Sequence, residues 1–184
     1  MTTVGKNQHS EERKVVVTGT PGTGKTTATK ALAERGVGAP IIHLTTEIRE
    51  ADLWDDRDVD RDSLIADLDA IADYLGDWHG VLDSHLAHLF DADRVVVLRC
   101  EPSELESRLC DRGEPEFKAR ENAESEALDV ILSEAVDRHG RENVYEIDST
   151  DRSVEWVASE IHSVLEGTRQ PSAGEVDFTE YLIG

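Results

Sequence analysis

Cysteine is scarce in this chain of 184 residues, which contains only Cys100 and Cys110. Cys100 ends an apolar run and Cys110 lies inside a helical pattern, and neither belongs to a CxxC pair. Disulfide-stapled secreted domains and zinc ribbons depend on more cysteines or on paired spacing. The sequence therefore argues against both classes, and the two thiols are predicted to be reduced and structural.

Long apolar runs are also missing. No run approaches the roughly 20 residues that a membrane-spanning helix needs. The opening segment MTTVGKNQHSEERK is polar where a signal peptide would be apolar. A membrane protein is not expected, and a cytoplasmic location is predicted. Residues 1–12 are predicted to be a flexible leader.

Positive charge is the third scarcity. Lysine and arginine number 19 against 40 aspartates and glutamates, which gives a formal net charge of −21. Direct non-specific binding to nucleic acid needs a basic patch and is not expected here. A connection to RNA would run through a basic partner protein.

The acidic composition allows two interpretations. One is an ordinary soluble acidic protein. The other is a halophilic protein that works at molar salt, where a Debye length of about 3 Å screens self-repulsion. Arginine outnumbers lysine almost threefold, which removes flexible apolar stems from the surface. We favour the halophilic interpretation.

The chain does have a regular alternation of apolar strands and helical patterns. Short apolar runs predict strands at 14–18, 39–44, 80–83, 94–100 and 143–148. Helical patterns cover 25–36, 45–53, 60–76, 102–113, 116–139 and 154–165. Such alternation indicates a single α/β domain, over 13–167, with a five-stranded and mainly parallel sheet.

Three segments of this pattern carry more specific expectations. Leu64, Leu68, Ile71 and Leu75 recur at spacings of four, three and four, which predicts one face of a helix. The first half of the 116–139 helix is heavily charged and is predicted to be exposed or mobile. Residues 168–184 are predicted to form a disordered tail, with docking of its FTEYLI segment on a partner as the alternative.

The segment GTPGTGKT matches the phosphate-binding pattern G-x-x-x-x-G-K-[ST], between a predicted strand and a predicted helix. Its glycines let backbone N–H groups surround a phosphate at the positive end of the helix. Lys25 is expected to reach the β- and γ-phosphates of ATP, and the Thr26 hydroxyl to bind Mg²⁺. The predicted ATP-binding residues of this loop are Gly22, Gly24, Lys25, Thr26 and Thr27.

The segment VLDSHLAHLF (81–90) ends a buried strand in an aspartate that is followed by two histidines. Asp83, at the carboxyl end of a strand beside the P-loop, is placed to hold Mg²⁺ directly or through water. One alternative is a zinc site built from His79, His85 and His88, although no cysteine or HExxH pattern supports it. Another is an aspartate that caps the turn beside histidines with ordinary packing roles.

Four segments occur in the order found in a known family: VVVTGTPGTGKTT, IREADL, DSHLAH and RLCDRG…EN…E. Over about 14–166, the sequence resembles archaeal members of the adenylate kinase isoenzyme 6 family. The resemblance implies a P-loop nucleoside monophosphate kinase that transfers a phosphoryl group from ATP to AMP, with Mg²⁺, and that also shows ATPase activity. It further implies a role in maturing small-subunit ribosomal RNA and binding to a basic ribosomal protein of the small-subunit platform.

The resemblance also implies roles for individual residues. Catalytic roles fall on Asp83 and His85, beside Lys25 of the P-loop, with His85 orienting the acceptor or an attacking water. The metal is assigned to Thr26 and Asp83. His88, one helical turn after His85, is left to capping or packing.

Phosphoryl transfer needs cations on both the donor and the acceptor and a cover against water. The family has its lid at RLCDRG, so the resemblance implies a mobile lid at 111–121 with Arg112 on ATP and Arg108 assisting. Glu114 stands where family members commonly have an aromatic residue, which weakens the case for base stacking by the lid. For Lys118 and Arg120, a solvated helix face is an equal alternative.

On the acceptor side, the resemblance implies a monophosphate-binding segment at about 43–66. Arg49 would grip the acceptor phosphate there as a planar fork. The alternative for Arg49 is a surface ion pair with Glu50 or Asp52. The backbone after the fifth strand, at 148–150, is expected near the adenine.

Three functions therefore compete. The first is an adenylate kinase, favoured by paired donor and acceptor arginines. The second is a ribosome-assembly ATPase that binds and releases a ribosomal protein, favoured by the acidic surface and the histidines beside Asp83. The third is a kinase for a small metabolite, which would keep the P-loop and change the acceptor pocket.

Overall fold

The described part of the chain contains seven strands and seven α-helices. The computed structural model describes residues 13–58 and 63–183. The strands are β1 (Lys14–Thr18), β2 (Ile41–His43), β3 (Trp54–Asp58), β4 (Ser63–Ala66), β5 (Gly80–Asp83), β6 (Arg94–Arg99) and β7 (Val144–Asp148). The helices are α1 (Lys25–Glu34), α2 (Leu44–Glu50), α3 (Leu68–Leu75), α4 (Pro102–Asp111), α5 (Glu116–Ala127), α6 (Val130–His139) and α7 (Val154–Glu166).

Five of the strands form one sheet in the order β2-β5-β1-β6-β7, and all their pairings are parallel. The predicted α/β class and parallel sheet are confirmed. The register pairs Asp83 with Val17 of β1 on one side and with His43 of β2 on the other. Because parallel strands end at the same edge, these carboxyl ends meet where open α/β sheets bind ligands.

Helices cover both faces of this sheet. Val15 and Val17 of β1 belong to a cluster with Ile161 of α7 on one face, whereas Val16 packs with Ile71 of α3 on the other. A strand that is buried on both faces reads as an unbroken apolar run, which explains the KVVVT pattern. No helix among the described residues is long and apolar enough to cross a membrane.

The predicted helix at 60–76 is wrong over residues 63–66, and its residues 60–62 lie outside the described part of the chain. Leu64 lies in β4, which pairs with β3 in an antiparallel hairpin, and α3 begins only at Leu68. The Asp67 carboxylate accepts a hydrogen bond from Ala70 N at 2.9 Å and so caps the helix. The spacing that joined Leu64 to the helical face was therefore coincidental.

The predicted helix at 116–139 is divided in two. Asp129 adopts a positive φ of 55°, which ends α5 before α6 begins. The charged half was predicted to be exposed or mobile, but it packs against α4. Ala119 and Ala123 are fully buried in a cluster with Leu105 and Cys100. Because these alanines are four residues apart, they lie on the same side of α5 and form a small apolar face. The high proportion of charged residues in this segment hides that face from a reading of composition.

The predicted disordered tail is instead packed on the domain over the described residues 168–183. Ser172 bridges to Tyr145 of β7 in parallel, and Glu146 N donates to Ser172 O at 2.7 Å. The Tyr181 hydroxyl lies 2.7 Å from a carboxylate oxygen of Glu106 on α4. The predicted leader at 1–12 lies outside the described residues.

Candidate active site

The P-loop connects β1 to α1 and has the shape of a phosphate cradle. Gly19, Gly22 and Gly24 all have positive φ, at 137°, 98° and 95°. A Cβ on Gly19 would lie 2.3 Å from the Leu98 carbonyl oxygen, so this position requires glycine. No side chain caps the N-terminus of α1, which leaves its first N–H groups available to an anion.

Lys25 lies inside this loop rather than in solvent. Its Nζ atom donates to the carbonyl oxygens of Gly19 and Thr20 at 2.7 and 3.0 Å. Burial lowers the pKa of Lys25 to about 8, although the negative charges of Asp83 and Glu126 oppose the shift. The ammonium is therefore still mainly protonated at neutral pH and is held where phosphates would bind. Thr26 and Thr27, the next two residues of α1, are exposed.

Asp83 has one satisfied and one unsatisfied carboxylate oxygen. Its Oδ2 accepts a hydrogen bond from the Thr29 hydroxyl at 2.9 Å and lies 2.9 Å from Nδ1 of His43. Its Oδ1 is buried and has no hydrogen-bond partner among the described residues. Buried polar atoms are nearly always paired, so this oxygen is suited to a ligand that the protein itself does not supply.

The donor set suits Mg²⁺. This ion takes oxygen ligands, commonly one or two carboxylates together with waters and substrate phosphates. The unpaired Oδ1 of Asp83 and the exposed hydroxyl of Thr26 are ligands of this kind. Both residues were singled out from the sequence, and their metal-binding role stays a prediction.

His85 lies just after β5, and part of the residue is open to solvent. Local desolvation, and then the positive charges of Lys25 and His88, lower the pKa of His85 to about 4. At neutral pH its imidazole is uncharged, so it can donate a hydrogen bond from one ring nitrogen and accept at the other. Its catalytic role stays a prediction.

His88 is buried in the protein and is fully engaged there. Its Nδ1 lies 3.0 Å from the Thr18 hydroxyl, and its Nε2 lies 2.9 Å from a carboxylate oxygen of Glu134 on α6. Burial lowers the pKa of His88, while Glu134 acts in the opposite direction. The contacts match the packing role left to His88. The described residues contain no group of three or more His, Cys, Asp or Glu side chains that could hold a metal, which disfavours the zinc alternative.

A pocket of about 290 Å³ opens beside the P-loop. Its lining residues are Thr23, Gly24, Thr27, Ala28, Arg108, Arg112, Ser149, Arg152, Val154 and Val157. Arg108 and Arg112, at the end of α4, lie on one side of the pocket, and the loop after β7 lies on the other. Apolar side chains line the space between them, which suits a nucleotide with its base and phosphates. Burial is the main cause of the lowered pKa of Lys25, and the positive charge of Arg112 acts in the same direction.

Other predicted cations have different surroundings. Arg108 is ion-paired with Glu104 on its own helix, Lys118 lies 3.1 Å from Glu114, and Arg120 lies 3.1 Å from Glu124. For Lys118 and Arg120 these contacts match the alternative of a solvated helix face. The predicted lid at 111–121 corresponds to the end of α4, a turn and the start of α5, and its lid function stays a prediction.

Arg49 is exposed on α2. The described residues give it no ion pair with Glu50 or Asp52, which were the alternative partners. Its helix follows directly on β2, whose last residue contacts Asp83. The guanidinium is therefore available for a ligand, and the acceptor role stays a prediction.

The sequence reasoning missed several residues of the site. His43 and Thr29 orient Asp83, and Arg152, Val154 and Val157 line the pocket. His43 could have been found because it ends a predicted strand, and carboxyl ends of neighbouring parallel strands meet. Nothing in the composition of α1 distinguishes Thr29 from its neighbouring threonines.

Comparison with known proteins shows the family of the chain. The model of a family described as AAA domain matches residues 15–129. A protein of Natronomonas pharaonis named "Putative adenylate kinase" is 59% identical over 92% of this chain and 99% of its own length. One of the same name from Halobacterium salinarum is 54% identical, again over 92% of this chain and 99% of its own.

Solved structures agree on the fold. A gluconokinase from Sinorhizobium meliloti superposes with a TM-score of 0.54 at 20% identity, over 86% of this chain and 94% of its own. A shikimate kinase from Bacteroides thetaiotaomicron gives a TM-score of 0.53 at 18% identity, over 83% of this chain and 97% of its own. At these identities the likeness concerns the fold alone.

Proposed function

The chain belongs to the family of archaeal proteins named putative adenylate kinases, and from this premise we propose that it transfers the γ-phosphoryl group of ATP to AMP. The observation that carries the proposal is the buried, unpaired Oδ1 of Asp83 beside a P-loop that already holds Lys25. Such an oxygen is costly to bury without a ligand. Magnesium bound with ATP is the ligand that this chemistry favours.

On the donor side, the chain would bind ATP through backbone and cations. The N–H groups of the P-loop and of the first turn of α1 would surround the phosphates, with Lys25 across the β- and γ-phosphates. Thr26 and Asp83 would hold Mg²⁺, directly or through water, and the ion would neutralise charge on the transferred group. Arg112 would add positive charge from the rim of the pocket.

On the acceptor side, Arg49 would bind the phosphate of AMP as a planar fork. Neutral His85 would hold the attacking oxygen in line by a hydrogen bond, since phosphoryl transfer depends on positioning more than on strong bases. A lid at 111–121 would exclude water. These are the roles that the resemblance to the adenylate kinase isoenzyme 6 family implies, and we propose that the chain belongs to that family.

A second candidate is an ATPase that acts in assembly of the small ribosomal subunit. Two observations favour it. A neutral, exposed His85 two residues after Asp83 suits the orientation of a water as well as of AMP. The net charge of −21 suits a basic ribosomal protein as partner. A kinase for a small metabolite remains the third candidate.

The experiment is the initial rate of ADP formation at molar KCl, with ATP and Mg²⁺, in the presence of AMP, of gluconate, of shikimate, or of no acceptor. We expect stimulation by AMP alone. Arg49→Ala should raise the KM for AMP by at least tenfold, since bonds to a charged group are worth roughly 1.5–3 kcal/mol. Arg35→Ala, which removes an exposed arginine at the end of α1 that lies away from the P-loop, is the matched control and should leave the KM unchanged.

Each alternative has its own outcome. Turnover that does not depend on AMP but responds to a basic ribosomal protein would favour the assembly ATPase. Stimulation by a metabolite instead of AMP would favour the third candidate. An unchanged KM in Arg49→Ala would remove that residue from the acceptor site.

A further inference from the structure

A cluster of buried charges lies directly behind the P-loop. Arg99, at the end of β6, is 1% exposed and is surrounded by the carboxylates of Glu126, Asp129 and Glu146. Its Nε lies 2.7 Å from Glu126, and its Nη1 lies 2.5 Å from Glu146. Burial alone would lower the pKa of Arg99, but the three carboxylates outweigh it and raise that pKa. The guanidinium is thus a permanent charge in the core.

Glu126 joins this cluster to the P-loop. Its Oε2 accepts a hydrogen bond from the Thr20 hydroxyl, and its Oε1 accepts from Cys100 N at 3.2 Å as well as from Arg99. Both Thr20 and Glu126 are nearly fully buried. One carboxylate on α5 therefore contacts the phosphate loop, the end of β6 and the buried guanidinium at once.

Thr20 is the residue where the internal bonds of the loop converge. Its carbonyl oxygen accepts from Lys25 Nζ at 3.0 Å and from the Thr23 hydroxyl at 2.9 Å. Its amide also lies next to Gly19, whose positive φ begins the curl of the loop. Fixing the Thr20 side chain therefore fixes the segment from which Lys25 takes its position.

The C-terminal segment closes the cluster on the far side. The second oxygen of Glu146 accepts from the backbone N–H groups of Glu175 and Val176 at 2.8 and 3.3 Å. The Phe178 ring lies 5.4 Å from the guanidinium carbon of Arg99. These contacts cover Arg99 and Glu146 on the side of the cluster that faces the C-terminal segment.

Burying the carboxylates of Glu126 and Glu146 beside one guanidinium is not the most stable way to fill a core, since apolar residues of similar volume often do so at lower cost. We propose that Glu126 is a positioning residue, which holds the P-loop through Thr20 in the shape that binds the phosphates of ATP. Without the bond between the Thr20 hydroxyl and Glu126, the loop would adopt other shapes as well. ATP would then have to order the loop on binding, which would lower its affinity. The inference rests on the proposed nucleotide function.

The test compares ATP binding by titration calorimetry in two substitutions at Thr20. Thr20→Val removes the hydroxyl at nearly constant volume and should weaken ATP binding by about tenfold, the value of one bond to a charged group. Thr20→Ser keeps the hydroxyl and should bind ATP within about threefold of wild type. If Thr20→Val does not fold, Thr20→Ala gives the same comparison. In steady state, the KM for ATP should rise more than kcat falls.

Glu146→Gln is the matched control. It changes a buried carboxylate on the same guanidinium but has no contact with the P-loop, so it should lower the melting temperature and leave ATP affinity within about threefold. Wild-type affinity in folded Thr20→Val would overturn the inference while the proposed function stands. Equal loss of affinity in Thr20→Val and Glu146→Gln would also overturn it, because general destabilisation would then explain both. A wild-type protein that does not bind ATP would remove the proposed function and the inference together.

Discussion

His43 Nδ1 lies 2.9 Å from Oδ2 of Asp83, across the adjoining ends of two parallel strands. Thr29 donates to the same oxygen from α1, so both contacts fall on Oδ2 and none on Oδ1. The carboxylate is thereby held in one orientation. Its unpaired oxygen is preset for a cation, which is how residues behind a metal ligand commonly act.

This arrangement predicts that His43 sets the affinity for the metal. His43→Ala should raise the Mg²⁺ concentration for half-maximal ADP formation by about tenfold, because the loss of such a partner typically costs 10- to 100-fold in metal affinity. Weaker Mn²⁺ binding, measured by electron paramagnetic resonance in the presence of ADP, should accompany it. His43→Asn, which keeps a hydrogen-bond donor, should recover part of the loss.

His162→Ala is the control for His43, because it removes an exposed histidine of α7 that lies 3.8 Å from Glu166 and is not among the residues that line the pocket. It should leave the dependence on Mg²⁺ unchanged. Identical Mn²⁺ binding by His43→Ala and wild type would show that His43 has no such positioning role.

The lowered pKa of His88 predicts that the stability of the fold depends on pH. A lowered pKa means that the folded protein binds a proton at His88 less readily than the unfolded chain does. The stability contributed by the neutral ring is therefore full above the unfolded pKa of about 6.5 and is lost as pH falls below it. Glu134, His139 and Arg138 are the charged groups that modify this pKa.

Urea unfolding at several pH values between 5 and 7.5 measures this effect. The free energy of unfolding of wild type should fall more steeply toward low pH than that of His88→Gln, whose absolute stability will be lower because two buried hydrogen bonds are altered. His162→Gln should keep the wild-type slope. Parallel curves for wild type and His88→Gln would contradict the prediction.

The packed C-terminal segment predicts a stability effect where a disordered tail would have none. Phe178→Ala removes the ring that covers Arg99 and should lower the free energy of unfolding by about 1 kcal/mol, in the range of cation–π contacts. Ile183→Ala is the control, since its side chain is 85% exposed and its loss should change stability by less than about 0.5 kcal/mol. Equal stability of both variants and wild type would mean that the segment is not held on the domain in solution.

The net charge of −21 predicts that the fold needs salt. At low ionic strength, repulsion among the acidic side chains is unscreened and opposes the compact state. Dialysis from molar KCl to millimolar salt, followed by circular dichroism, should show loss of helical signal that returns on adding salt. An unchanged spectrum would favour the ordinary acidic protein.

The sequence predicted the parts of the fold that depend on local pattern. β1 and the P-loop follow from an apolar run that leads into glycines, and Asp83 follows from the end of another such run. The β3–β4 hairpin was missed because Leu64 continues the helical spacing of Leu68, Ile71 and Leu75 by chance, and because periodicity does not reveal the pairing with β3.

Polar contacts between residues far apart in the chain were the other feature that the sequence did not predict. Glu126 looks like one more acid in the stretch FKARENAESEA, yet it is buried because Arg99, 27 residues earlier, is buried opposite it. The tail looks disordered from composition, but its backbone bonds to Glu146 and its Phe178 meets Arg99. Each of these depends on a partner far away in the chain, which a local pattern cannot supply.

The most direct test of the central claim is phosphorus NMR of wild-type protein and Asp83→Asn with ATP, AMP and Mg²⁺ at molar KCl. We predict that wild type converts one ATP and one AMP into two ADP without inorganic phosphate. Asp83→Asn, which keeps the shape and removes the charge, should be slower by a factor on the order of 100. Release of inorganic phosphate at the same rate with and without AMP would contradict a kinase and leave an ATPase in its place.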